Sequence, residues 1–192
     1  MRNFRSPLLA LVLLAGVLLI IGVPLLTRGN LAPQPVVTDS PPIEYRNAEL
    51  GFRLMYPGNW QTLVDPQELP RGENLHSVVL LPSTASKTLI IVYVQTLTQT
   101  RTLDQFVADQ MRALSANEAE VQFSLPTALE LGDGIDARET TAMVMTEDPP
   151  RWQRVVMALN GPRAYALYYS GPPEGRYPDT FSAIIRSFSF VR

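Results

Sequence analysis

Apolar and polar positions divide the chain into three regimes. Leu8–Leu26, LLALVLLAGVLLIIGVPLL, is uninterrupted: 19 residues without a charged or polar side chain, 14 of them Leu, Ile or Val. At about 1.5 Å per residue a helix of that length reaches about 28 Å, close to the hydrocarbon thickness of a bilayer. This run predicts one transmembrane helix. Thr27–Glu44 then carries Pro33, Pro35, Pro41 and Pro42, which exclude a helix and favour an extended, polyproline-like spacer of up to about 55 Å. From Tyr45 onward the apolar positions become periodic.

Phe52, Leu54 and Tyr56 alternate with Arg53 and Met55, the period of a half-buried strand. Pro57-Gly58 ends that strand, and Trp60 supplies a large apolar body beyond it. Thr62–Asn74, with Pro66, Pro70 and Gly72, reads as a surface loop. His76–Leu81 and Thr88–Leu97 read as a hairpin, and Leu89–Val94, apolar on both faces, reads as a central strand covered twice. Thr102-Leu103-Asp104-Gln105 is a capping-box pattern opening a helix to about Leu114, with Leu103, Phe106, Val107, Met111 and Leu114 on its apolar face and Asp104, Asp109 and Arg112 facing water.

Val121–Leu131 and Ile135–Met145 read as strands joined by Gly132-Asp133-Gly134, the first of them bent or at an edge because of Pro126. Glu147–Pro150 makes the next turn. Trp152–Leu159 and Ala164–Ser170 form a hairpin around Asn160-Gly161-Pro162-Arg163, an Asn-Gly turn signal that includes a proline. Phe181, Ile184, Ile185 and Phe188 recur with helical spacing behind Pro178-Asp179, and Ser187–Val191 alternates as a closing strand. The pattern predicts an α+β fold, an α/β/α sandwich with a central, mainly antiparallel sheet. The chain divides into a cytoplasmic N-terminus (residues 1–7), a transmembrane signal anchor (8–26), a proline-rich linker (27–44) and one globular domain (45–192), a usual size for a single core.

Charge gives the anchor a direction. Arg2 and Arg5 precede the apolar run and only Arg28 follows it before Arg46, so the positive-inside bias places the N-terminus in the cytoplasm and the domain outside the plasma membrane. The competing reading is a cleaved signal peptide. The run is longer than an ordinary signal-peptide core, and Thr27–Pro33 offers no Ala-x-Ala site. Gly16 and Gly22, six apart, lack the small-xxx-small register of a helix dimer. Helix-driven dimerisation is therefore not expected.

Tyr45–Arg192 holds 13 Arg and Lys against 16 Asp and Glu, a mildly acidic balance without the basic stripe of a nucleic-acid footprint. The chain has no cysteine, hence no disulfide framework, thiolate metal site, Cys nucleophile or lipid-modified cysteine. Lys87 is its one lysine against 15 arginines. There is no Asn-x-Ser/Thr sequon, as in many bacterial proteins.

Two stretches bracket the domain: Tyr45-Arg46-Asn47-Ala48-Glu49-Leu50-Gly51-Phe52-Arg53-Leu54-Met55-Tyr56-Pro57-Gly58-Asn59-Trp60 and Phe181-Ser182-Ala183-Ile184-Ile185-Arg186-Ser187-Phe188. With the elements between them, they resemble the PsbP-like superfamily, which shares its α/β/α sandwich with the Ran-binding Mog proteins. The resemblance implies the fold and non-enzymatic roles: photosystem II accessory proteins in chloroplasts and cyanobacteria, and bacterial exported or membrane-tethered proteins. Photosynthetic members are usually delivered by cleaved or lipid-modified N-termini. This chain departs from that pattern, which ranks a photosystem accessory role lower.

The candidate chemistry is thin. His76, beside Ser77, is the single histidine, and the Gly-x-Ser-x-Gly elbow of a hydrolase is absent. Glu130, Asp133, Asp136 and Glu139 supply oxygen ligands without EF-hand spacing, so the Asp133–Asp136 turn is first a turn. Neither a phosphate loop nor a dinucleotide fingerprint is present. No catalytic, cofactor-binding or metal-binding residue is assigned, and no cofactor is expected. Trp152, Tyr165, Tyr168 and Tyr169 crowd one hairpin. Alternation sends Tyr168 away from Tyr165 and Tyr169, so at least one set belongs to the core, and the core reading ranks above a groove or interface; Trp152 and Tyr168 are the candidate interaction surface. The expected function is a membrane-tethered, extracytoplasmic, non-catalytic binding or assembly module whose partner is another protein. The alternative is a small-ligand or lipid carrier using a pocket between helix and sheet; a hydrolase ranks last.

Overall fold

The computed structural model describes residues 40–67, 69, 72–82, 88–117, 120–145, 150–171 and 176–191. The expected transmembrane helix, the linker as far as residue 39, the loop 83–87 and most of the turn at 147–150 lie outside the described residues. Among the described residues the order is β1 (Pro42–Asn47), β2 (Phe52–Pro57), β3 (Gln61–Val64), β4 (Leu75–Leu81), β5 (Leu89–Thr96), α1 (Leu103–Asn117), β6 (Val121–Phe123), β7 (Thr127–Leu131), β8 (Ile135–Val144), β9 (Arg151–Asn160), β10 (Arg163–Ser170), α2 (Arg176–Ser187) and β11 (Ser189–Phe190).

The expected antiparallel sheet is present, but the strands divide between two sheets. The larger runs β3-β4-β5-β10-β9-β8-β6, with β7 also on β8; the smaller runs β1-β2-β11. Alternation sorts the larger sheet's side chains onto two covered faces. Val78, Leu80, Ile90, Val92, Val156, Tyr165, Leu167 and Tyr169 meet Phe181, Ile184, Ile185 and Phe188 around α2, together with Phe52 and Leu54 of the small sheet. Leu75, Val79, Ile91, Tyr93, Val155, Met157 and Tyr168 meet Phe106 and Val107 of α1 on the other face. Covered on both sides, β5 and β10 are apolar along both faces, as a buried central strand must be.

Local chemistry sets the ends of these elements. The Thr102 hydroxyl accepts from the Gln105 N–H at 3.2 Å, while the Gln105 side chain accepts from the Thr102 N–H at 3.0 Å. This reciprocal cap satisfies two orphan donors at the start of α1. In the turn between β1 and β2, Asn47 Oδ1 accepts from the Leu50 N–H at 2.8 Å. Gly51 follows at φ +77, where a Cβ would lie 2.5 Å from the Arg163 guanidinium. The Asn and Gly of the opening stretch are thus backbone requirements of that turn.

Several sequence expectations shift. Pro42–Glu44, assigned to the linker, pair with Pro57–Met55 as the first half of β1. Thr62–Val64, read as the start of a loop, instead belongs with Gln61 to the edge strand β3 on Val78–Leu81. The strand expected over Val121–Leu131 is two strands on β8; in the gap Ser124 keeps the ladder closed, its Oγ accepting from the Thr141 N–H and its carbonyl from the Thr140 hydroxyl, both at 2.9 Å. Asn160 and Arg163 pair as the last ladder residues, so the hairpin loop is Gly161-Pro162. Gly161 at φ +57 followed by proline is the type II′ arrangement, since proline cannot take the second positive φ of type I′.

Candidate functional site

His76 does have an orienting carboxylate. Its Nδ1 lies 3.0 Å from Asp65 Oδ2, and Asp65 Oδ1 accepts from the Ser77 N–H at 2.6 Å. The Ser77 hydroxyl, however, is fully buried on the opposite face of β4, level with Tyr93. The pair clips the end of β3 to β4. The acidic residues diverge in the same way. Glu130, Asp133 and Asp136 are exposed, Asp133 stands 3.8 Å from Arg53, and Glu139 turns inward to Arg154 at 2.6 Å. No group of three potential ligands converges among the described residues.

The aromatic hairpin is mostly core. Tyr165 and Tyr169 face α2 and Tyr168 faces α1. Tyr168, a candidate for the surface although the core reading ranks first, is 3% exposed and packs edge to face on Tyr93 at 5.6 Å; the sheet face it points to is covered by α1, so it belongs to the core and leaves the candidate surface. Burial pushes the phenols of Tyr93 and Tyr168 well above their ordinary range, Tyr93 further because the two rings adjoin. Burial also raises Tyr165, against the opposing hydrogen bond and charge of Arg163, and takes Tyr169 to about 12.

Trp152 is different. It is half-buried, packed edge to face on Tyr169 at 5.6 Å, and the β8–β9 register sets Met143 directly opposite. Met143 is 38% exposed, and Met145, just beyond the end of β8, is 40% exposed. The end of the β8–β9 hairpin thus carries an apolar surface of one tryptophan and two methionines. Arg154, two residues along β9 on Trp152's face, anchors it: the guanidinium binds Glu139, donates to Ser182 Oγ at 3.0 Å and lies 5.2 Å over the Phe181 ring. Met143 carries no surface signal of its own in the sequence, because only the strand register places it opposite Trp152.

A second feature lies where β5 leads into α1. Gln95, Thr96, Arg101, Phe106, Asp109 and Gln110 line a recess of about 70 Å³. It adjoins a shallower groove of about 440 Å³ edged by Gln99, Gln105 and Arg112. Asp109 takes Arg112 on one oxygen, at 2.9 Å, and Arg101 on the other. The side-chain oxygens of Gln95 and Gln110 are buried without a hydrogen-bond partner, and Gln110 as a whole is 3% exposed.

No protein-family model and no curated protein matches the sequence. Solved structures do match. The solution structure of cyanobacterial PsbP (CyanoP) from Synechocystis sp. PCC 6803 aligns with a TM-score of 0.60 at 16% identity, covering 84% of this chain and 99% of that one. The crystal structure of LpqN, involved in cell envelope biogenesis of Mycobacterium tuberculosis, aligns with a TM-score of 0.53 at 14% identity, covering 79% of this chain and 91% of that one. At such identities the shared property is the fold. The described part of this chain therefore has the PsbP-like fold, an α+β sandwich with helices on both faces of an antiparallel sheet.

Proposed function

We propose that the chain is a membrane-tethered, extracytoplasmic, non-catalytic binding module that holds another protein at the outer face of the plasma membrane. The observation that carries the reading is the apolar end of the β8–β9 hairpin. Met143 stands exposed opposite a half-buried Trp152 on a strand pair fixed by its ladder and by Arg154, with Met145 exposed just beyond the end of β8. Tryptophan and methionine are enriched in the cores of protein interfaces, where tryptophan anchors and methionine adapts.

The tether is supported by the uncharged run Leu8–Leu26 behind Arg2 and Arg5. LpqN, of similar fold, is a protein of cell envelope biogenesis, which accords with a place at the envelope. A lipid carrier needs an apolar cavity of several hundred Å³. Phe106, Val107 and Leu114 beneath α1, and Phe181, Ile184 and Ile185 beneath α2, are instead packed against the sheet.

The test is cell fractionation with protease accessibility. The full chain is expected in the membrane fraction with its domain cleaved by protease added outside intact spheroplasts. Recovery in the soluble fraction, or protection of the domain, contradicts the tether.

A further inference from the structure

We propose that the recess between β5 and α1, with the groove it opens into, binds a neutral, hydroxyl-rich ligand the size of one hexopyranoside ring. The starting observation is an anomaly of burial. Buried polar side-chain atoms in folded proteins nearly always have a hydrogen-bond partner. Gln95 and Gln110 line the same recess, and the oxygen of each has none. Neither residue needs to be polar for its element: β5 and α1 would tolerate a methionine at either position. Rotation about the terminal torsion of a glutamine is soft, so each oxygen turns into the recess when a donor arrives.

The chemistry of the walls selects the ligand. Two orphan oxygens demand donors, which a carboxylate or sulfate lacks and of which hydrogen phosphate has one. The groove beside them carries Arg101 and Arg112 on a single Asp109, a surplus of cationic donors that disfavours an ammonium and demands acceptors. A hydroxyl both donates and accepts. The sizes agree as well: about 70 Å³ holds roughly two waters' worth of volume, the bulk of one hydroxymethyl group. The groove of about 440 Å³ falls in the range of small-ligand sites and takes the ring. One of the Gln95 and Gln110 oxygens accepts from the hydroxymethyl O–H and the other from a neighbouring ring hydroxyl, while Arg101, Arg112 and Gln105 donate to the remaining ring oxygens. This site stands apart from the Trp152 surface and holds whichever way that surface is used.

The experiment uses the full chain in lipid nanodiscs, free of sugar-headed detergents, with isothermal titration of methyl glucoside, galactoside and mannoside against methyl xyloside, which lacks the hydroxymethyl group. At least one hexoside is expected to bind saturably and at least about tenfold more tightly than the xyloside. Gln110→Met is expected to abolish that binding while raising the melting temperature of the unliganded protein by about 2–4 °C, because an orphan polar group has been removed. Absence of saturable binding by all three hexosides overturns the proposal. So does hexoside binding unchanged in Gln110→Met, a lowered melting temperature in that variant, or tighter binding of inorganic phosphate than of any hexoside.

Discussion

Met143 and Trp152 lie directly opposite one another across β8 and β9, and Trp152 leans edge to face on Tyr169 beneath it. The tryptophan is thus half core and half surface, whereas the methionine is surface. Trp152→Ala should cost about 2 kcal/mol in urea unfolding followed by circular dichroism, below a full core tryptophan because part of the ring is already exposed. Met143→Gln should stay within about 0.5 kcal/mol of the parent. Both should lose the partner.

The cap of α1 is reciprocal, so its two members are coupled. Thr102→Ala should destabilise by about 1 kcal/mol and Gln105→Ala by less. A double-mutant cycle in chemical denaturation should show the pair losing less than the sum of the single changes. Strict additivity would mean that the two bonds of 3.2 and 3.0 Å do not act together.

Two ion pairs of similar geometry should differ in worth. Arg154 and Glu139 are 18% and 21% exposed at 2.6 Å, and Arg154 also ties β9 to α2 through Ser182. Glu139→Ala leaves that guanidinium short of its carboxylate and should cost about 2–3 kcal/mol. Asp104 binds Arg138 at 2.9 Å but is 75% exposed, so Asp104→Ala should cost about 0.5 kcal/mol. Equilibrium denaturation of both variants checks the ranking.

The buried phenols make a statement about pH. Burial raises Tyr93, Tyr168, Tyr169 and Tyr165 above the ordinary value of 10.0, so above that value the unfolded chain loses phenolic protons that the folded chain keeps. Their influence on stability should be flat below about pH 10 and fall as pH rises through the folded values, by up to about 1.4 kcal/mol per pH unit for each phenol. Urea melts between pH 8 and 11.5, with tyrosinate absorbance near 295 nm, should show ionisation coincident with unfolding. Ionisation of these tyrosines in the still-folded protein near pH 10 would contradict their burial.

Much of the fold was legible because local signals and tertiary demands agreed. The Phe181–Phe188 stripe, the Thr102–Gln105 box and the doubly apolar Leu89–Val94 each left a single reading. β1 and β3 were not legible. Pro42 and Glu44 look like linker, and Thr62–Val64 looks like loop, because an edge strand needs little apolar pattern and its pairing comes from a distant neighbour.

For Tyr168 the choice between core and surface turned on a different signal. Alternation says which side chains share a face, not whether that face is covered, and here α1 covers it. The recess at Gln95 and Gln110 left no trace either, since glutamine on a helix or at a strand end reads as solvent-facing until the chain packs.

The most direct test of a tethered partner-binding module is photo-crosslinking in intact cells from a reactive residue placed at position 143 of the full chain, with position 104 on α1 as control. The expected result is a discrete protein adduct in the membrane fraction from position 143, absent from position 104 and lost on Trp152→Ala. No adduct from position 143, or the same adducts from both positions, would contradict the assignment of the Met143–Trp152 surface as the docking site.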